Sequence, residues 1–221
     1  MLVQLAQLAS LALEKAATHQ RDHHIAVELQ RSLLPPSLPD LPGVTVAARY
    51  LPGSGDQMVG GDWFDIWPLR DGLIGLALGD VVGHGLRSAS VMGQLRTGLR
   101  AYALEEQDPA IVVDRLDRLL GSLGTGDMAT LAYATLHPES GQMRLVLAGH
   151  PHPYIRHTDG KVLPVDAEPG LPLGSFPGSG YAATDALLPA GCTLLMFSDG
   201  CSRPVSEASA KASPSWSEFS P

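Results

Sequence analysis

The sequence predicts an α+β fold in which strands precede and follow two adjacent helices along the chain. The chain has 24 Gly and 18 Pro among 221 residues, a composition that favours many short strands joined by turns over a helical bundle. Strand-like segments come first, two helical segments follow one another, and further strand-like segments complete the order, unlike an alternating βαβ pattern. Apolar residues make up 44% and charged residues 17%, so the chain can bury a hydrophobic core and is not intrinsically disordered.

Charge, cysteine content and hydropathy exclude several classes of protein. The net charge is −8, and Lys and Arg form no cluster, which argues against nucleic-acid binding. The 2 cysteines cannot make a disulfide framework. No apolar run reaches the roughly 18–20 residues of a membrane span, and the N-terminus lacks the pattern of a secretory signal. We therefore expect a cytoplasmic protein that binds neither nucleic acid nor membrane.

Residues 1–36 are predicted to form a signalling or dimerisation helix. The segment Leu2–Leu34 contains no Gly or Pro and is rich in Ala, Leu, Gln and Glu, which is typical of a helix that ends at Pro35-Pro36. Its first half is apolar around most of its circumference, so we expect it to bury itself against another surface. Two interpretations stay open: the helix packs on its own domain, or it pairs two chains or joins a sensor domain to an output domain.

Residues 37–201 are predicted to form the main domain, and residues 202–221 a disordered tail rich in Ser and Pro. The two helices follow from apolar residues at helical spacing, with a proline in the first turn of the second helix. Gly-containing turns between strand pairs predict two hairpins, and residues 169–180 are predicted to be a loop. The predicted elements are strands Val44–Tyr50, Trp63–Pro68 and Leu73–Leu78, helices His84–Leu104 and Pro109–Leu123, hairpin strands Ala129–Leu136 with Gln142–Leu147 and Pro153–His157 with Lys161–Val165, and a buried strand Thr193–Phe197.

Three aspartates lie where predicted strands begin or end. Asp80 and Asp199 each follow a buried apolar strand, and Asp62 lies where the strand Trp63–Pro68 begins. A carboxylate in such a place is costly unless its charge is compensated. Several carboxylates next to glycines suit a hard divalent cation such as Mg²⁺ or Mn²⁺, and two such ions about 3.5–4 Å apart can clamp a phosphoryl group. The alternative is that these aspartates cap turns.

Four motifs follow one another along the chain. They are Gly60-Gly61-Asp62-Trp63-Phe64-Asp65, Gly79-Asp80-Val81-Val82-Gly83-His84-Gly85-Leu86, Ala148-Gly149-His150-Pro151-His152-Pro153 and Phe197-Ser198-Asp199-Gly200. Together they resemble the PPM-type metal-dependent Ser/Thr protein phosphatases, in their SpoIIE-like bacterial branch, over roughly residues 25–200. The segments Leu29–Pro36 and Gly170–Gly174 also fit this branch. The resemblance implies a sandwich of two antiparallel β-sheets flanked by helices.

The resemblance implies a role for each candidate residue. Asp80 would bridge two Mn²⁺ or Mg²⁺ ions, and the backbone carbonyl of Val81 would bind one of them. Asp199 would hold the first ion and Asp62 the second, so these three aspartates are the predicted catalytic residues. Asp65 is not expected to be a ligand and would lie in the surroundings of the site.

The activity implied by the resemblance is hydrolysis of phosphoserine or phosphothreonine on a regulatory protein. The implied substrate class is an anti-sigma-factor antagonist, and the nucleophile would be a water molecule activated by the two ions. The N-terminal helix would allow a homodimer.

The remaining histidines and tryptophans have structural interpretations. His84 either marks the start of a helix or acts near the site. We expect His150, His152 and His157 to be loop or strand residues and not zinc ligands, since neither cysteines nor an HExxH arrangement accompany them. The tryptophans are predicted to lie in the core or in the tail.

The sequence departs from the family pattern after Gly200. The family has a later Asp-Asp pair, whose aspartate completes the first metal site, whereas the acidic residues after Asp199 here are Glu207 and Glu218. We therefore expect a domain that lacks the C-terminal strands of the family. Two alternatives follow: a weakly active or inactive phosphatase domain that serves as a dimeric binding module, and another metal-dependent phosphoester hydrolase.

Overall fold

The computed structural model describes residues 33–50, 60–176 and 178–198, together with positions 7, 10, 11, 14, 15, 18, 21, 25 and 28. Two helices and a series of strands follow one another in these ranges, and a 3₁₀ turn at Arg70–Gly72 joins the first two strands. The elements are β1 Gly60–Pro68, β2 Ile74–His84, α1 Leu86–Glu105, α2 Pro109–Ser122, β3 Ala129–Leu136, β4 Gln142–Ala148, β5 Tyr154–Arg156, β6 Val162–Pro164, β7 Pro169–Gly170, β8 Thr184–Leu187 and β9 Thr193–Leu195.

The strands form two sheets that pack against each other. The larger sheet has the order β1-β2-β3-β4-β7, with β8 also paired to β4, and the smaller sheet has the order β6-β5-β9. All pairings are antiparallel except the short one between β4 and β7. Alternate residues of β3 and β4 meet the smaller sheet in one apolar cluster, as expected when sheet faces alternate along a strand. The predicted α+β class with two sheets is confirmed.

Helices α1 and α2 cover the other face of the larger sheet. Their buried residues form one core with the residues of β1, β2, β3 and β4 that point to this side. Helix α2 begins at a capping aspartate, since the Asp108 side chain accepts a hydrogen bond from the backbone N–H of Ala110 at 2.9 Å, and Pro109 occupies the first turn. The prediction that these two helices lie together on one face is therefore confirmed.

Two tryptophans of β1 lie over glycines of β2 and fix how the two strands pair. Trp63 is opposite Gly79, and Trp67 is opposite Gly75. A Cβ atom at Gly79 would lie 2.3 Å from the Trp63 ring, and one at Gly75 would lie 2.8 Å from the Trp67 ring. Both indoles are buried, which confirms their prediction as core residues. A slip of one residue would turn every side chain of the strand to the opposite face of the sheet. By preventing that slip, these two pairs also fix the faces on which Asp62, Asp65 and Asp80 lie.

The predicted strand Val44–Tyr50 is wrong. Residues 45–50 have no strand pairing, and Val44 makes only an isolated bridge to Leu41 across a turn. Val44 and Val46 instead pack by their side chains against a small apolar cluster with Ile66. Their β-branched composition therefore reflects a half-buried surface and not a paired backbone, which is a known limit of strand propensity.

Three further predictions need correction. The strand β9 is not buried, since Thr193 is exposed and Leu195 is 37% exposed; among the described residues it pairs only with β5. The predicted loop at residues 169–180 begins with the short strand β7, and β8 was not predicted. Helix α1 begins at Leu86, so His84 ends β2 and does not start the helix.

The predicted N-terminal helix Leu2–Leu34 lies mostly outside the described residues. The described positions between 7 and 33 are helical, and Leu34 is already out of the helix, so the end at Pro35-Pro36 is confirmed. Leu33 packs on α1 at Gly93, where an added Cβ would lie 2.9 Å from Leu33 Cδ2. Pairing of two chains through this helix stays a prediction, and the tail 202–221 lies outside the described residues. Among the residues described, no helix is long and apolar enough to span a membrane.

Replacing Gly79 by Ala should destabilise the protein strongly, because the new methyl group would meet the fully buried Trp63 ring. We expect a loss of about 3 kcal/mol, at the upper end of the range for overpacked cores. The matched control is Gly121→Ala in the last turn of α2, where an added Cβ meets nothing within 4 Å, and a gain of about 0.5–1 kcal/mol is expected. Denaturant unfolding of both variants measures the difference, and equal stabilities would contradict the packing described here.

Candidate active site

Asp62 and Asp80 are direct neighbours on adjacent strands. Asp62 of β1 is the cross-strand partner of Asp80 of β2, and both residues are half-buried. Residues directly opposite in an antiparallel pair share one face, with Cβ atoms about 4.5–5.5 Å apart. This face is the one that the smaller sheet covers further along β2, where Leu76 joins the core between the sheets. Two of the three predicted ligands are therefore brought together at one end of the sandwich.

An irregularity in the strand pairing lies immediately next to Asp80. The partners Gly60↔His84 and Asp62↔Asp80 leave Gly61 alone opposite residues 81–83 of β2. Such a bulge bends the strand and interrupts the regular hydrogen bonding. Gly83 allows the irregular backbone path of β2, since its φ is +105°, a value that residues with a side chain rarely adopt.

Gly61 leaves room for the backbone carbonyl of Val81. A Cβ atom at Gly61 would lie 2.1 Å from the Val81 carbonyl oxygen and 2.6 Å from the Val81 nitrogen. Only glycine fits at this position, so the Val81 carbonyl approaches β1 closely beside the Asp62–Asp80 pair. Two carboxylates and a nearby carbonyl are the kind of oxygen ligands that Mg²⁺ and Mn²⁺ prefer. The residues present thus fit the implied metal ions.

The third predicted ligand, Asp199, lies outside the described residues. The chain is described up to Ser198, which follows β9. Phe197 contacts Tyr154 of β5, with ring centroids 5.9 Å apart. Within residues 33–50, 60–176 and 178–198, no three His, Cys, Asp or Glu side chains form a cluster that could hold a metal ion. A complete site therefore needs at least one ligand in addition to Asp62 and Asp80.

Asp65 is held by two arginines of α1 and does not lie with Asp62. Three residues separate the two along β1, so their side chains lie on opposite faces of the sheet. The Asp65 carboxylate is buried, with 1% of its side chain exposed. Arg96 Nε donates to Asp65 Oδ2 at 2.9 Å, and Arg100 donates through Nε and Nη2 to the two carboxylate oxygens at 2.6 Å each. This bidentate contact raises the pKa of Arg100 above its ordinary value.

The Asp65 pairing extends into the core through aromatic rings. The Arg100 guanidinium lies 5.2 Å from the centroid of the Trp67 ring, within the range of a cation–π contact. Trp67 in turn stacks on Tyr133 of β3, with an interplanar angle of 9°. Burial raises the pKa of Tyr133, so its hydroxyl stays neutral. The arginines were not predicted from the sequence, although their spacing of four residues on α1 places them on one helix face.

The histidines fall into different environments. His84 is exposed at the end of β2, opposite Gly60. His150 is 4% exposed, and its Nδ1 lies 2.9 Å from Thr130 Oγ1. His152 Nε2 lies 2.8 Å from the Ala167 carbonyl oxygen, and His157 Nδ1 lies 3.8 Å from Cys192 Sγ. No zinc cluster forms from the histidines and cysteine that the structure describes.

Comparison with known proteins assigns the chain to a family. Residues 70–212 match the family described as Stage II sporulation protein E (SpoIIE), and the chain belongs to this family. It is a homologue of the PPM (PP2C-type) protein phosphatases, a class of metal-dependent hydrolases. The predicted resemblance is therefore confirmed.

The alignments with individual relatives cover most of this chain, but they cover less than half the length of each relative named here. The RsbU and RsbW domains of Rv1364c from Mycobacterium tuberculosis are 34% identical, with a TM-score of 0.62 over 73% of this chain and 46% of that one. The PP2C phosphatase domain of SpoIIE from Bacillus subtilis, solved with a fragment of its regulatory domain, shares the fold at 24% identity and a TM-score of 0.58. That match covers 67% of this chain and 44% of the other. Protein IcfG of Synechocystis is 26% identical over 201 residues, which are 78% of this chain and 31% of IcfG.

Replacing Asp65 by Asn should cost about 1.5–3 kcal/mol, the range for hydrogen bonds to charged groups. The reason is that two arginines lose their common carboxylate on a buried strand. The matched control is Asp114→Asn, which removes the half-buried i,i+4 partner of the exposed Arg118 and should cost about 0.3–0.5 kcal/mol. Thermal and denaturant unfolding measure both values. A cost for Asp65→Asn as small as that for the control would show that the pair does not hold α1 on β1.

Proposed function

We propose that this chain is a metal-dependent phosphoprotein phosphatase whose domain spans residues 37–201. Its substrate would carry phosphoserine or phosphothreonine, and its cofactors would be two Mn²⁺ or Mg²⁺ ions. The observation that carries the proposal is the cross-strand pairing of Asp62 with Asp80 beside the bulge at Val81. The membership in the SpoIIE family supports it independently of that geometry.

The metal ligands would come from three chain segments. Asp80 would bridge the two ions, with the Val81 carbonyl on one of them, while Asp62 and Asp199 would each complete one side. When bound, the ions supply an activated water molecule and neutralise charge on the phosphoryl group. No serine or cysteine is needed as a nucleophile in this arrangement.

The residues of this chain would contribute position and charge. The carboxylates of Asp62 and Asp80 are half-buried on one face of the larger sheet, where they would hold the ions that contact the phosphoryl group. Their direction is held by the pairing of β1 and β2, which the two tryptophans over glycines fix. The Asp65–Arg100 contact fastens the same strand to α1 from the opposite face. Such preorganisation places charge before the substrate arrives and lowers the barrier to the transfer.

The proposed substrate is a phosphorylated regulatory protein of the anti-sigma-factor-antagonist class. This finer step rests on the resemblance to the SpoIIE-like branch. A phosphodiesterase would need a site that accepts two ester groups on phosphorus, and no observation favours one here. Comparing a phosphoserine peptide with bis-p-nitrophenyl phosphate distinguishes the two activities.

Replacing Asp80 by Asn should strongly reduce Mn²⁺-dependent turnover of p-nitrophenyl phosphate and of a phosphoserine peptide. We expect a loss of about 10²–10³-fold in kcat, the usual cost of removing one preorganised electrostatic group. Asp199→Asn should show a comparable loss. The control is Asp71→Asn in the turn between β1 and β2, where the exposed carboxylate accepts a hydrogen bond from Gln107 at 2.6 Å, and it should stay at the wild-type rate.

Two results would overturn the proposed activity. A folded wild-type protein without turnover at any Mn²⁺ or Mg²⁺ concentration would favour the inactive binding module. Metal-dependent turnover at the wild-type rate in Asp80→Asn would place the chemistry elsewhere in the chain.

A further inference from the structure

A polar pair, half-buried Thr130 and buried His150, lies beside Asp80. Thr130 of β3 is the cross-strand partner of Asp80, so Asp62, Asp80 and Thr130 follow one another across three adjacent strands on the same face. Cβ atoms of directly opposite residues are about 4.5–5.5 Å apart, which places Thr130 next to the Asp80 side chain. Its Oγ1 lies 2.9 Å from His150 Nδ1.

The backbone around His150 is tightly determined. Gly149 has a φ of +64°, and a Cβ atom there would lie 2.5 Å from the Pro172 ring. The Gly149 N–H donates to the Gly170 carbonyl at 2.8 Å, and Gly149 also bridges to Leu131 of β3. The turn after β4 therefore returns to β3 and delivers the His150 side chain onto Thr130.

The neighbouring His152 shows that this placement is specific. His152 is half-buried and bonds the Ala167 carbonyl, so it belongs to the packing between the sheets. His150 is almost fully buried, and the side chain that it contacts flanks a proposed metal ligand. Carboxylates and histidines that ligate metals are commonly oriented by a further layer of hydrogen-bonded residues.

We propose that Thr130 and His150 form a positioning pair for Asp80. His150 fixes the rotamer of Thr130, and the Thr130 hydroxyl holds the Asp80 carboxylate in the direction that a metal ion requires. Neither residue touches the metal or the substrate. The inference rests on the proposed function, since it assigns this pair to the Asp80 side of the same site.

The test is a titration of the full chain with Mn²⁺, in which the electron paramagnetic resonance signal of the free ion measures how much Mn²⁺ is bound. Thr130→Val removes the hydroxyl at nearly constant shape, and Mn²⁺ binding should weaken about 10–100-fold, the usual cost of losing such a partner. Thr130→Ser keeps the hydroxyl and should bind Mn²⁺ nearly as well as wild type. His150→Leu should weaken binding like Thr130→Val, whereas His150→Asn retains a polar group near the Nδ1 position and should recover part of the affinity.

Melting temperatures in EDTA separate positioning from folding, since no metal contributes to them. The matched control His152→Leu should lower the melting temperature without changing Mn²⁺ affinity. Equal Mn²⁺ affinities for Thr130→Val and Thr130→Ser would overturn the inference, as would His150 variants that melt lower but bind Mn²⁺ like wild type. A wild-type chain that binds no Mn²⁺ would overturn the proposed function and this inference together. A wild-type chain that binds Mn²⁺, with no loss of affinity in Thr130→Val, would overturn this inference alone.

Discussion

Two carboxylates lie side by side on neighbouring strands, and the surrounding packing has to hold them there against their repulsion. Like charges directly opposite in a sheet destabilise it, so the Asp62–Asp80 pair has to be imposed by stronger packing around it. The tryptophan rings over Gly75 and Gly79 fix the register, and a slip of one residue would bury charges and expose indoles. A divalent cation between the carboxylates would turn their repulsion into attraction, which couples metal binding to the stability of this end of the sheet.

The two faces of the larger sheet differ in what their polar residues contact. On the helix side, Asp65 is neutralised by Arg96 and Arg100, and the ring of Trp67 continues this contact into the core. On the other side, the row of Asp62, Asp80 and Thr130 stays half-buried at the end of the sandwich. Alternation along β1 thus uses one aspartate to fasten a helix and another, three residues away, to face the site.

Local sequence patterns predicted the long helices and strands correctly. They failed where a segment becomes a strand only if a distant segment pairs with it. Helices α1 and α2 and strands β1 to β6 follow from periodicity and turn residues, with most ends shifted by one to three positions. The exception is β2, which continues past its predicted end at Leu78 to His84, so Asp80 lies within the strand and not after it. Val44–Tyr50 has strand composition but no neighbouring strand to pair with, and β8 pairs with β4 although about forty residues separate them. The same limit applies to the site. The motifs predicted Asp62 and Asp80 as candidate ligands, and the structure places these two residues next to each other. The contacts of Asp65 with Arg100 and of Thr130 with His150 depend on folding that no local pattern encodes.

The position of a bound metal ion would show whether Asp62 and Asp80 belong to one metal site. Crystals of the full chain grown with Mn²⁺ and measured near the manganese absorption edge would locate the ion by anomalous scattering. We expect a peak between the carboxylates of Asp62 and Asp80, within coordination distance of the Val81 carbonyl, with Asp199 completing the site. A peak bound by other residues, or no peak at saturating Mn²⁺, would show that these carboxylates do not form the metal site.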